Sequence, residues 1–594
     1  MPTILGMGHG CTLRKNLRTT TANRGVAMRA SRTNNGLTVR AIAGSHVVLL
    51  GINMPRADCD GHMGFAIHRT DYLGQEAKWM RGLKTFEETD PGFVAGSTYS
   101  TREHPVQGFS WSDYSAKPGR RYKYRVLALK GTPRDLQPFR EVEVSVTTEA
   151  EAGGDNDVYF NRGAAASQEY ARRFGNVRPD EGDPGDGRWA WLSRGAAEAI
   201  EDFIGLASGP EFGLRVSAYE FRLQSVAVAL GRARDRGADV KILYDANPNQ
   251  PDAQGVVFPR DANRATAKAA GIESLCIERL TDPDVKFPPI SHHKFIVLLQ
   301  HGEPIAVLTG STNFSLGGVY GQSNVVHVVE QPPVAAAYLQ CWTLMAGKPT
   351  HDALRSALSA LNTIPVAEPP KGIVAIFSPQ QTLAALDWYA QRAKSARDAL
   401  FMTFAFGMSE RFQAAYRDGQ APLRYALLDK LLAPGVPAAK RAAAEAGMLA
   451  LRKRVENRFA VGNLLSTNKF DRWVRETLTG LNTNVRFIHT KIAIIDPLGR
   501  DPVVISGSAN FSEASTTEND ENMLVIRGNR RVADIYLGEY MRLWSHYAFR
   551  EWAAAQDNPA DTKFKFLDVG NRWWRDYFGN SARSRQRAYF SGVA

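Results

Sequence analysis

Two short stretches of the chain place a histidine two residues before a lysine and then continue as an apolar run. They read "SHHKFIVLL" over 291–299 and "IHTKIAIID" over 488–496. Because residues two apart in an extended strand project to the same side, His292 and Lys294 should face one space, and His489 and Lys491 another. An imidazole beside an ammonium group can bind an anion and can attack an electrophile or transfer a proton. These four residues are the candidate catalytic groups.

A second motif with short polar side chains follows each pair, as "LTGSTNFS" in copy one and "ISGSANFS" in copy two. The polar residues are Ser311, Asn313 and Asn324 in copy one, and Ser508, Asn510 and Glu521 in copy two. In both copies the last two of these lie eleven positions apart (313 to 324, 510 to 521). Two such sets meeting across a pseudo-twofold axis would surround one anion with two ammonium groups, two imidazoles and several hydroxyl or amide donors. That arrangement predicts a pocket for a phosphoryl group that needs no metal.

The duplicated HxK(x)4D and GSxN pattern resembles the phospholipase D superfamily over roughly 158–550. The resemblance implies that one histidine attacks phosphorus to give a phosphohistidine, while the other protonates the leaving alcohol and then activates water. It implies no cofactor and no metal. By position, the histidines with these roles are His292 and His489, and the phosphate-binding groups are Lys294, Lys491, Asn313 and Asn510.

The two copies differ at two positions. Copy two is complete and ends in Asp496, whereas copy one has Leu299 at the acid position. Since Asp496 would stand at the far end of the strand, we expect it to have a structural or supporting role, with a degenerate copy one as the alternative. The family resemblance also implies that Glu521 supports His489, which leaves Asn324 for His292.

A carboxylate next to an imidazole favours the protonated ring, and an amide leaves the ring more readily neutral. This reasoning predicts His292 as the nucleophile and His489 as the general acid and base. A zinc site built on His292 and His293 is disfavoured because adjacent strand residues point in opposite directions and no third ligand has suitable spacing. A lone HxK would more often be a core histidine, but the paired arrangement argues against that.

The rest of the chain divides into segments of different pattern. Residues 41–150 show short alternating β runs, and "FSWSDYSAKPGRRYKYRVLALK" (109–130) resembles a fibronectin type III module with a tyrosine corner. After a linker, helix and strand patterns alternate over 158–361 and again over 373–550. In this repeat "LRVSAYEF" parallels "ALFMTFAF", and "VKILYD" parallels "LRYALLD". The predicted fold is multidomain: an N-terminal all-β sandwich followed by two pseudo-twofold-related α/β phospholipase D-like domains that form one shared active site.

The two ends of the chain are basic. Residues 1–40 contain seven Lys or Arg residues and no acid, which predicts a disordered tail, with an organelle transit peptide or an upstream start codon as alternatives. Residues 551–594 interleave basic and aromatic residues. We expect these aromatics to pack onto the neighbouring domain, although such a segment could also stack on bases or lie at a lipid interface.

Bulk properties limit the partners and the compartment. The net charge is +12 and the isoelectric point is near 9.4, which favours an anionic partner. No apolar run approaches the roughly 20 residues needed to cross a bilayer. The four scattered cysteines suit a reducing compartment, so we expect a cytoplasmic protein whose active unit is a monomer, with peripheral membrane contact and organelle targeting left open.

Three functions compete for this pattern. The first is a phosphodiesterase that hydrolyses or exchanges a phospholipid headgroup, which suits a long chain carrying both motifs. The second is a nuclease or DNA-end-processing enzyme, which suits the basic charge. The third is a non-catalytic binding protein that retains the fold.

Overall fold

The computed structural model describes residues 28–90, 97–163, 167–175, 177–183, 185–248, 257–282, 288–432, 436–462, 488–554 and 566–593. The chain folds into a β-rich N-terminal region and two α/β halves. We call residues 156–361 the first half and residues 372–554 the second half.

The N-terminal region consists of two antiparallel sheets, in the orders β1-β2-β3-β8 and β10-β9-β4-β5, with a small ribbon β6-β7. The strands are β1 (Arg29–Asn34), β2 (Leu37–Ala43), β3 (Val48–Asn53), β4 (His62–Asp71), β5 (Glu76–Trp79), β6 (Arg81–Gly82), β7 (Tyr99–Ser100), β8 (Ser110–Asp113), β9 (Arg121–Thr132) and β10 (Asp135–Thr147). Val39, Ile67 and Val144 from the two sheets share one buried core, so the region is a sandwich. The hydroxyl of Tyr122 accepts a hydrogen bond from the backbone N–H of Lys117 at 2.9 Å, as a tyrosine corner does; the relationship to fibronectin type III stays a prediction.

The prediction of a disordered tail over 1–40 is wrong for its last part, because β1 and β2 form a hairpin there. Asn35 and Gly36 make the two-residue turn with φ of 47° and 82°, the left-handed conformations that Asn-Gly accepts most readily. Arg29 then binds the carboxylate of Asp534 at 2.8 Å and so ties the hairpin to the second half. Residues 1–27 lie outside the described residues.

The first half contains a seven-stranded mixed sheet in the order β11-β17-β16-β15-β12-β13-β14. Its strands are β11 (Asn156–Phe160), β12 (Phe212–Ala218), β13 (Asp239–Asp245), β14 (Cys276–Arg279), β15 (Lys294–Gln300), β16 (Glu303–Gly310) and β17 (Val325–Val329). Its helices are α1 (Ser167–Phe174), α2 (Gly187–Ser193), α3 (Ala196–Gly205), α4 (Gln224–Asp235), α5 (Arg260–Ala269), α6 (Pro332–Ala346) and α7 (His351–Leu361).

The second half repeats this sheet in the order β18-β24-β23-β22-β19-β20-β21. Its strands are β18 (Gly372–Ser378), β19 (Ala399–Phe404), β20 (Leu423–Leu428), β21 (Asn457–Val461), β22 (Ile492–Ile495), β23 (Val503–Gly507) and β24 (Glu521–Arg527). The helices are α8 (Ala384–Lys394), α9 (Glu410–Asp418), α10 (Ala438–Arg452), α11 (Ala514–Thr517), α12 (Arg530–Ala554) and, after the half, α13 (Ala582–Ser591).

The order and direction of the strands match position by position between the two sheets. In each half, two parallel pairs (β12-β13 and β13-β14; β19-β20 and β20-β21) are followed by antiparallel pairs. Each HxK motif therefore enters the strand next to the first parallel pair, and each GSxN motif follows the next strand. The repeat places the two sets of motif residues at equivalent positions.

Helices α6 and α12 fill the space between the two sheets. In α6 the buried residues Val334, Tyr338, Trp342 and Met345 recur at helical spacing, and burial of each such side chain contributes about 1.5–3 kcal/mol. The hydroxyl of Tyr338 in α6 donates to the Asn522 side-chain oxygen of the second half at 2.9 Å, and the hydroxyl of Tyr536 in α12 is 3.0 Å from the His327 Nδ1 of the first half. These two helices hold the halves against each other. No helix in the described ranges is long and apolar enough to span a bilayer.

The C-terminal segment packs back onto the N-terminal sandwich. The backbone N–H of Leu567 donates to the carbonyl of Thr85 at 2.7 Å, and the Trp573 indole lies 5.7 Å from the Phe109 ring between ring centroids. Phe590 of α13 is buried in the core between the halves. Trp573 and Phe590 are thus packing residues, whereas Trp552 is exposed.

Candidate functional site

Two loops that cross between the halves bring the motif residues together. Ser291, just before His292, forms a parallel β-bridge with Asp520, and Ser323 forms the equivalent bridge with Ile488, just before His489. The backbone N–H of His292 donates to the carbonyl of Asp520 at 2.9 Å, and that of His489 to the carbonyl of Ser323 at 3.3 Å. Each motif histidine therefore lies against the polar residue that follows the GSxN motif of the opposite half.

The two imidazole rings face each other across a narrow space. Their centroids are 6.5 Å apart and their planes are inclined by 80°, and the side chains are almost entirely buried. The Nδ1 atom of His292 is 2.8 Å from a carboxylate oxygen of Glu521, and the Nδ1 atom of His489 is 2.8 Å from the amide oxygen of Asn324. Both bonds leave Nε2 as the nitrogen that can react. A second Asn324 bond, from its Nδ2 to the carbonyl of Gly318 at 2.8 Å, fixes the orientation of that amide.

The prediction that Glu521 supports His489 is wrong, as is the matching prediction that Asn324 supports His292. The expectation paired each histidine with the polar residue of its own copy. The crossing loops exchange these partners, so the carboxylate serves His292 and the amide serves His489.

The two motif lysines complete what we call the motif cluster, which consists of His292, Lys294, His489 and Lys491. Each lysine Nζ donates to the backbone carbonyl of the histidine two residues earlier in its strand. Burial lowers the pKa of Lys294 to about 7 although Glu521 opposes the shift, and it lowers the pKa of Lys491 well below its ordinary value. Burial and the lysines likewise lower the pKa of both histidines well below the usual range. A bound anion would relieve these electrostatic penalties.

Burial also shifts the carboxylic acid of the cluster. It raises the pKa of Glu521 to about 7, even though Lys294 and the hydroxyls of Ser515 and Ser508 lower it. Burial thus moves the pKa of the Glu521 carboxyl and that of the Lys294 ammonium group towards neutral pH from opposite sides. This is the range in which a site can exchange protons with its substrate at physiological pH.

The serines of the GSxN motifs hold the acceptors in place. The Ser311 hydroxyl donates to the amide oxygen of Asn324 at 2.8 Å and accepts the N–H of Val325 at 3.1 Å. The Ser508 hydroxyl accepts the N–H of Asn522 at 2.9 Å. Both hydroxyls are fully buried. Ser311 and Ser508, which the sequence predicts as site residues, therefore support the groups that orient the two histidines.

The asparagines of the GSxN motifs differ from the serines in having unused hydrogen-bonding capacity. The side-chain oxygens of Asn313 and Asn510 are both buried and, among the described residues, have no hydrogen-bond partner. Unpaired buried amides are costly unless a ligand completes them. The same deficit at equivalent positions of the two halves fits a pair of ligand-binding groups.

Asp496 does not belong to the cluster. Its carboxylate accepts hydrogen bonds from the backbone N–H groups of Arg397, Asp398 and Ala399, at 2.7–3.1 Å, and so fixes the start of β19. It lies five residues beyond Lys491, roughly 16 Å along the strand. In the first half Leu299 is buried at this position and pairs with Gly213 of β12 across the sheet. The replacement of the motif aspartate by Leu299 thus changes the packing at one end of the strand and not the motif cluster.

Two side chains near the cluster escaped the sequence analysis. The Tyr219 ring lies edge-on to His292, 5.0 Å between centroids, and 5.4 Å from the Lys294 Nζ. The Asp245 carboxylate accepts the N–H of Ser291 at 2.7 Å and so fixes the approach to His292. Both stand at the carboxyl ends of the parallel strands β12 and β13, where α/β folds place their functional residues. That position was the signal available in the sequence.

His293 faces away from the cluster into the contact between the halves. Its Nδ1 is 3.0 Å from the Asn522 amide nitrogen, and its Nε2 is 3.9 Å from the Cys341 sulfur. Nearby, Arg279 of the first half forms a fully buried ion pair with Asp520 of the second at 3.0 Å. In the described ranges no group of three or more His, Cys, Asp and Glu side chains is arranged to hold a metal ion.

Comparisons with known proteins cover parts of the chain. A family model described as "Cardiolipin synthase, PLD-like domain" matches residues 207–342 and 457–544, which contain both HxK and both GSxN motifs. No curated protein sequence matches the chain.

Three solved structures are similar to parts of the chain. Polyphosphate kinase from Porphyromonas gingivalis is 13% identical over 57% of this chain, with a TM-score of 0.35, and the chain spans only 46% of that protein. Nuc from Salmonella typhimurium, described as a phospholipase D family member, is 26% identical over 26% of this chain and 88% of its own, with a TM-score of 0.20. Phosphatidylserine synthase from Haemophilus influenzae is 11% identical over 67% and 94%, with a TM-score of 0.40.

The family match therefore coincides with the duplicated motifs that meet between the halves. Residues 207–342 and 457–544 of the chain are therefore similar to the phospholipase D-like domain family.

Proposed function

We propose that this protein is a phosphodiesterase that works through a phosphohistidine, with the phosphate bound by the motif cluster. The observation that carries the proposal is the pair of facing imidazoles 6.5 Å apart, each oriented through Nδ1 by an acceptor from the opposite half. One ring can approach phosphorus while the other reaches the leaving oxygen on the opposite side. In-line displacement needs this geometry.

His292 is the nucleophile in this proposal. Its Nε2 forms a bond to phosphorus while the bond from phosphorus to the leaving oxygen breaks, and the ring acquires positive charge. Glu521 accepts the hydrogen bond from Nδ1 at 2.8 Å and stabilises that charge. The reason for choosing His292 thus differs from the reason found in the sequence: the acid stabilises the phosphorylated ring, instead of keeping the other ring protonated.

His489 is the general acid and then the general base. The bound phosphate offsets the burial and lysine charges that lower the pKa of His489, so the ring takes up a second proton on Nε2. That proton passes to the leaving alkoxide in the first step, and the neutral ring then removes a proton from water or from an acceptor alcohol in the second step. Attack of that oxygen on phosphorus breaks the phosphorus–nitrogen bond and releases His292. Water gives hydrolysis, and an alcohol gives transfer of the phosphatidyl group.

Lys294, Lys491, Asn313 and Asn510 bind the non-bridging phosphate oxygens. The lysines supply two positive charges from a buried site, where their attraction for a phosphate is strong because little water screens it. The asparagines donate to these oxygens through Nδ2, since an amide oxygen only accepts hydrogen bonds. Asn324, Ser311 and Ser508 act by holding the two histidines and their partners in place.

We propose a phospholipid headgroup as the substrate, because the matching family model is described as a cardiolipin synthase domain. The second candidate substrate is nucleic acid, which the net charge of +12 favours. If the substrate is a phospholipid, we expect the protein to contact the membrane surface peripherally.

Both substrates are offered in EDTA to the wild type and to His489→Ala. Vesicles of phosphatidylglycerol and phosphatidylethanolamine are assayed for released headgroup and, with added 1-butanol, for phosphatidylbutanol. Labelled single-stranded DNA and plasmid are assayed for cleavage. We expect turnover of the vesicles by the wild type and a rate about 10²–10⁴-fold lower with His489→Ala. Cleavage of DNA alone would favour the second candidate, and turnover of neither would support a binding protein that retains the fold.

A further inference from the structure

A cavity of about 390 Å³ lies away from the motif cluster, where the N-terminal sandwich, the first half and α12 meet. We call it the arginine cavity. Its lining residues are Leu83, Tyr114, Arg162, Glu169, Trp191, Arg194, Arg542, Ser545, His546 and Phe549. Its volume falls in the range of small-molecule sites.

Three guanidinium groups converge on this cavity, and the described carboxylates compensate them only in part. Arg194 and Arg542 share the buried carboxylate of Glu539 at 2.7 and 2.8 Å. Burial alone would raise the pKa of Glu539, but the guanidiniums of these two arginines lower it to about 2. The lining carboxylate Glu169 is engaged by Arg172 and Arg173 outside the cavity. The cavity therefore keeps an excess of positive charge.

Arg162 has no carboxylate within ion-pair distance among the described residues. It donates to the backbone carbonyl of Trp191 and its guanidinium lies 4.6 Å from the centroid of the Trp191 ring. Burial, together with repulsion from Arg194 and Arg542, lowers the pKa of Arg162 to about 9. A partly buried arginine in this electrostatic situation costs folding free energy, and an anion would remove the cost.

The remaining wall combines flat apolar surface with an unused polar atom. Trp191, Phe549 and Tyr114 present aromatic surface, and Leu83 presents an aliphatic one. His546 also lines the cavity, and its Nε2, which has no hydrogen-bond partner within the described part of the chain, is buried behind the wall surface. Guanidinium groups bind phosphate through two parallel N–H bonds, and aromatic faces bind flat or apolar groups.

We propose that the arginine cavity is a second binding site, which takes a small ligand that carries a phosphate group on an apolar or aromatic body. The phosphate lies between Arg162, Arg194 and Arg542, and the body lies against Trp191 and Phe549. A nucleotide and the head region of a phospholipid share this chemistry. The site is separate from the motif cluster and goes beyond the proposed activity.

The test measures binding calorimetrically with three probes: inorganic phosphate, adenosine monophosphate and dihexanoyl phosphatidate. Lys294→Met/Lys491→Met removes both ammonium groups of the motif cluster, so binding retained by this variant reports the second site. Adding Arg162→Gln should weaken that binding about tenfold or more, because a charge-assisted bidentate contact is lost. Arg178→Gln, which removes an exposed arginine of the same half, should bind as its parent does.

Two further readouts keep the proposal testable if the lysine variant does not fold. In the wild type the titration should give two sites, and in Arg162→Gln only one. Arg162→Gln should also melt at the same temperature as the wild type or higher, because the replaced charge is unfavourable in the empty cavity. The preferred probe identifies the ligand body: adenosine monophosphate indicates a nucleotide, and phosphatidate a lipid. Absence of binding outside the motif cluster for all three probes, or binding unchanged by Arg162→Gln, would overturn the proposal.

Discussion

The two halves have the same strand order and contribute the same HxK and GSxN residues, yet two other motif positions differ between them. The histidine of the first half contacts a carboxylate, Glu521, and that of the second half contacts an amide, Asn324. At the far end of the motif strand the halves instead carry Leu299 and Asp496. Only the first difference touches the facing imidazoles. In the proposed mechanism the acceptor, and not the motif aspartate, therefore separates the roles of the two histidines.

The energy difference between a carboxylate and an amide acceptor is large enough to distinguish the two histidines. A carboxylate and a positively charged ring about 4 Å apart attract each other by about 4 kcal/mol at an effective dielectric constant near 20. A neutral amide acceptor contributes about 1 kcal/mol. His292 thus has several kcal/mol more stabilisation than His489 for the positive charge that a phosphohistidine carries.

The largest expected effect comes from removing either imidazole. His292→Ala should abolish detectable turnover, and His489→Ala should lower kcat by about 10²–10⁴-fold with substrates that have poor leaving groups. A substrate with a good leaving group, such as a p-nitrophenyl phosphodiester, should recover part of the activity of His489→Ala and none of that of His292→Ala. Recovery in both variants or in neither would break the proposed division of roles.

Glu521→Gln makes the acceptors of the two halves alike and should lower kcat/KM by about 10²-fold. In the wild type we expect a bell-shaped pH profile near 7, because Glu521 ionises and Lys294 loses its proton in this range, each with a pKa of about 7. The variant should lose the acid limb. An unchanged acid limb would show that another group controls it.

The same substitution has an effect on stability with a defined sign. The raised pKa of Glu521 means that its contribution to stability is present near pH 4.5 and is lost as the pH rises through about 7. Glu521→Gln should therefore be more stable than the wild type at pH 8. Thermal melts at pH 5 and pH 8 measure this difference and also show whether the variant is folded.

The two GSxN serines should have smaller and different effects. Ser311→Ala loosens Asn324, so kcat should fall about tenfold while the acid limb stays in place. Ser508→Ala removes a hydrogen bond that lowers the pKa of Glu521, so the acid limb should move to higher pH. Equal pH profiles for Ser311→Ala and Ser508→Ala would contradict the claim that the two serines support different histidine partners.

The smallest effect on activity is expected at the strand end. Asp496→Asn weakens the bonds to three backbone N–H groups and should lower the free energy of unfolding by about 1–3 kcal/mol. Asparagine tolerates the φ of 50° at this position, so backbone strain does not confuse the result. The kcat of the folded protein should not change. Asp501→Asn, at an exposed ion pair with Arg527, is the matched control and should change neither quantity much.

Much of this site could be predicted from the sequence because it rests on local spacing. The HxK and GSxN motifs and the equal interval to Asn324 and Glu521 located both sets of residues. The parallel between "LRVSAYEF" and "ALFMTFAF" located the equivalent strands β12 and β19. The Asn35-Gly36 turn was also a readable hairpin signal, and it would have corrected the predicted tail.

What escaped prediction depends on contacts between distant segments. The exchange of acceptors arises from loops that cross between the halves, and spacing within one copy does not contain that information. The arginine cavity joins Arg162, Arg194 and Arg542 from three separate segments of the chain. Neither arrangement leaves a periodic or local pattern in the sequence.

The central claim is that His292 carries the phosphoryl group. The most direct measurement is to quench His489→Ala and His292→Ala after reaction with labelled substrate, and to locate any phosphohistidine by mass spectrometry of the peptides. We predict label on the peptide that contains His292 in the His489→Ala variant, and no label in His292→Ala. Label on His489 in the His292→Ala variant, with none in His489→Ala, would contradict the account.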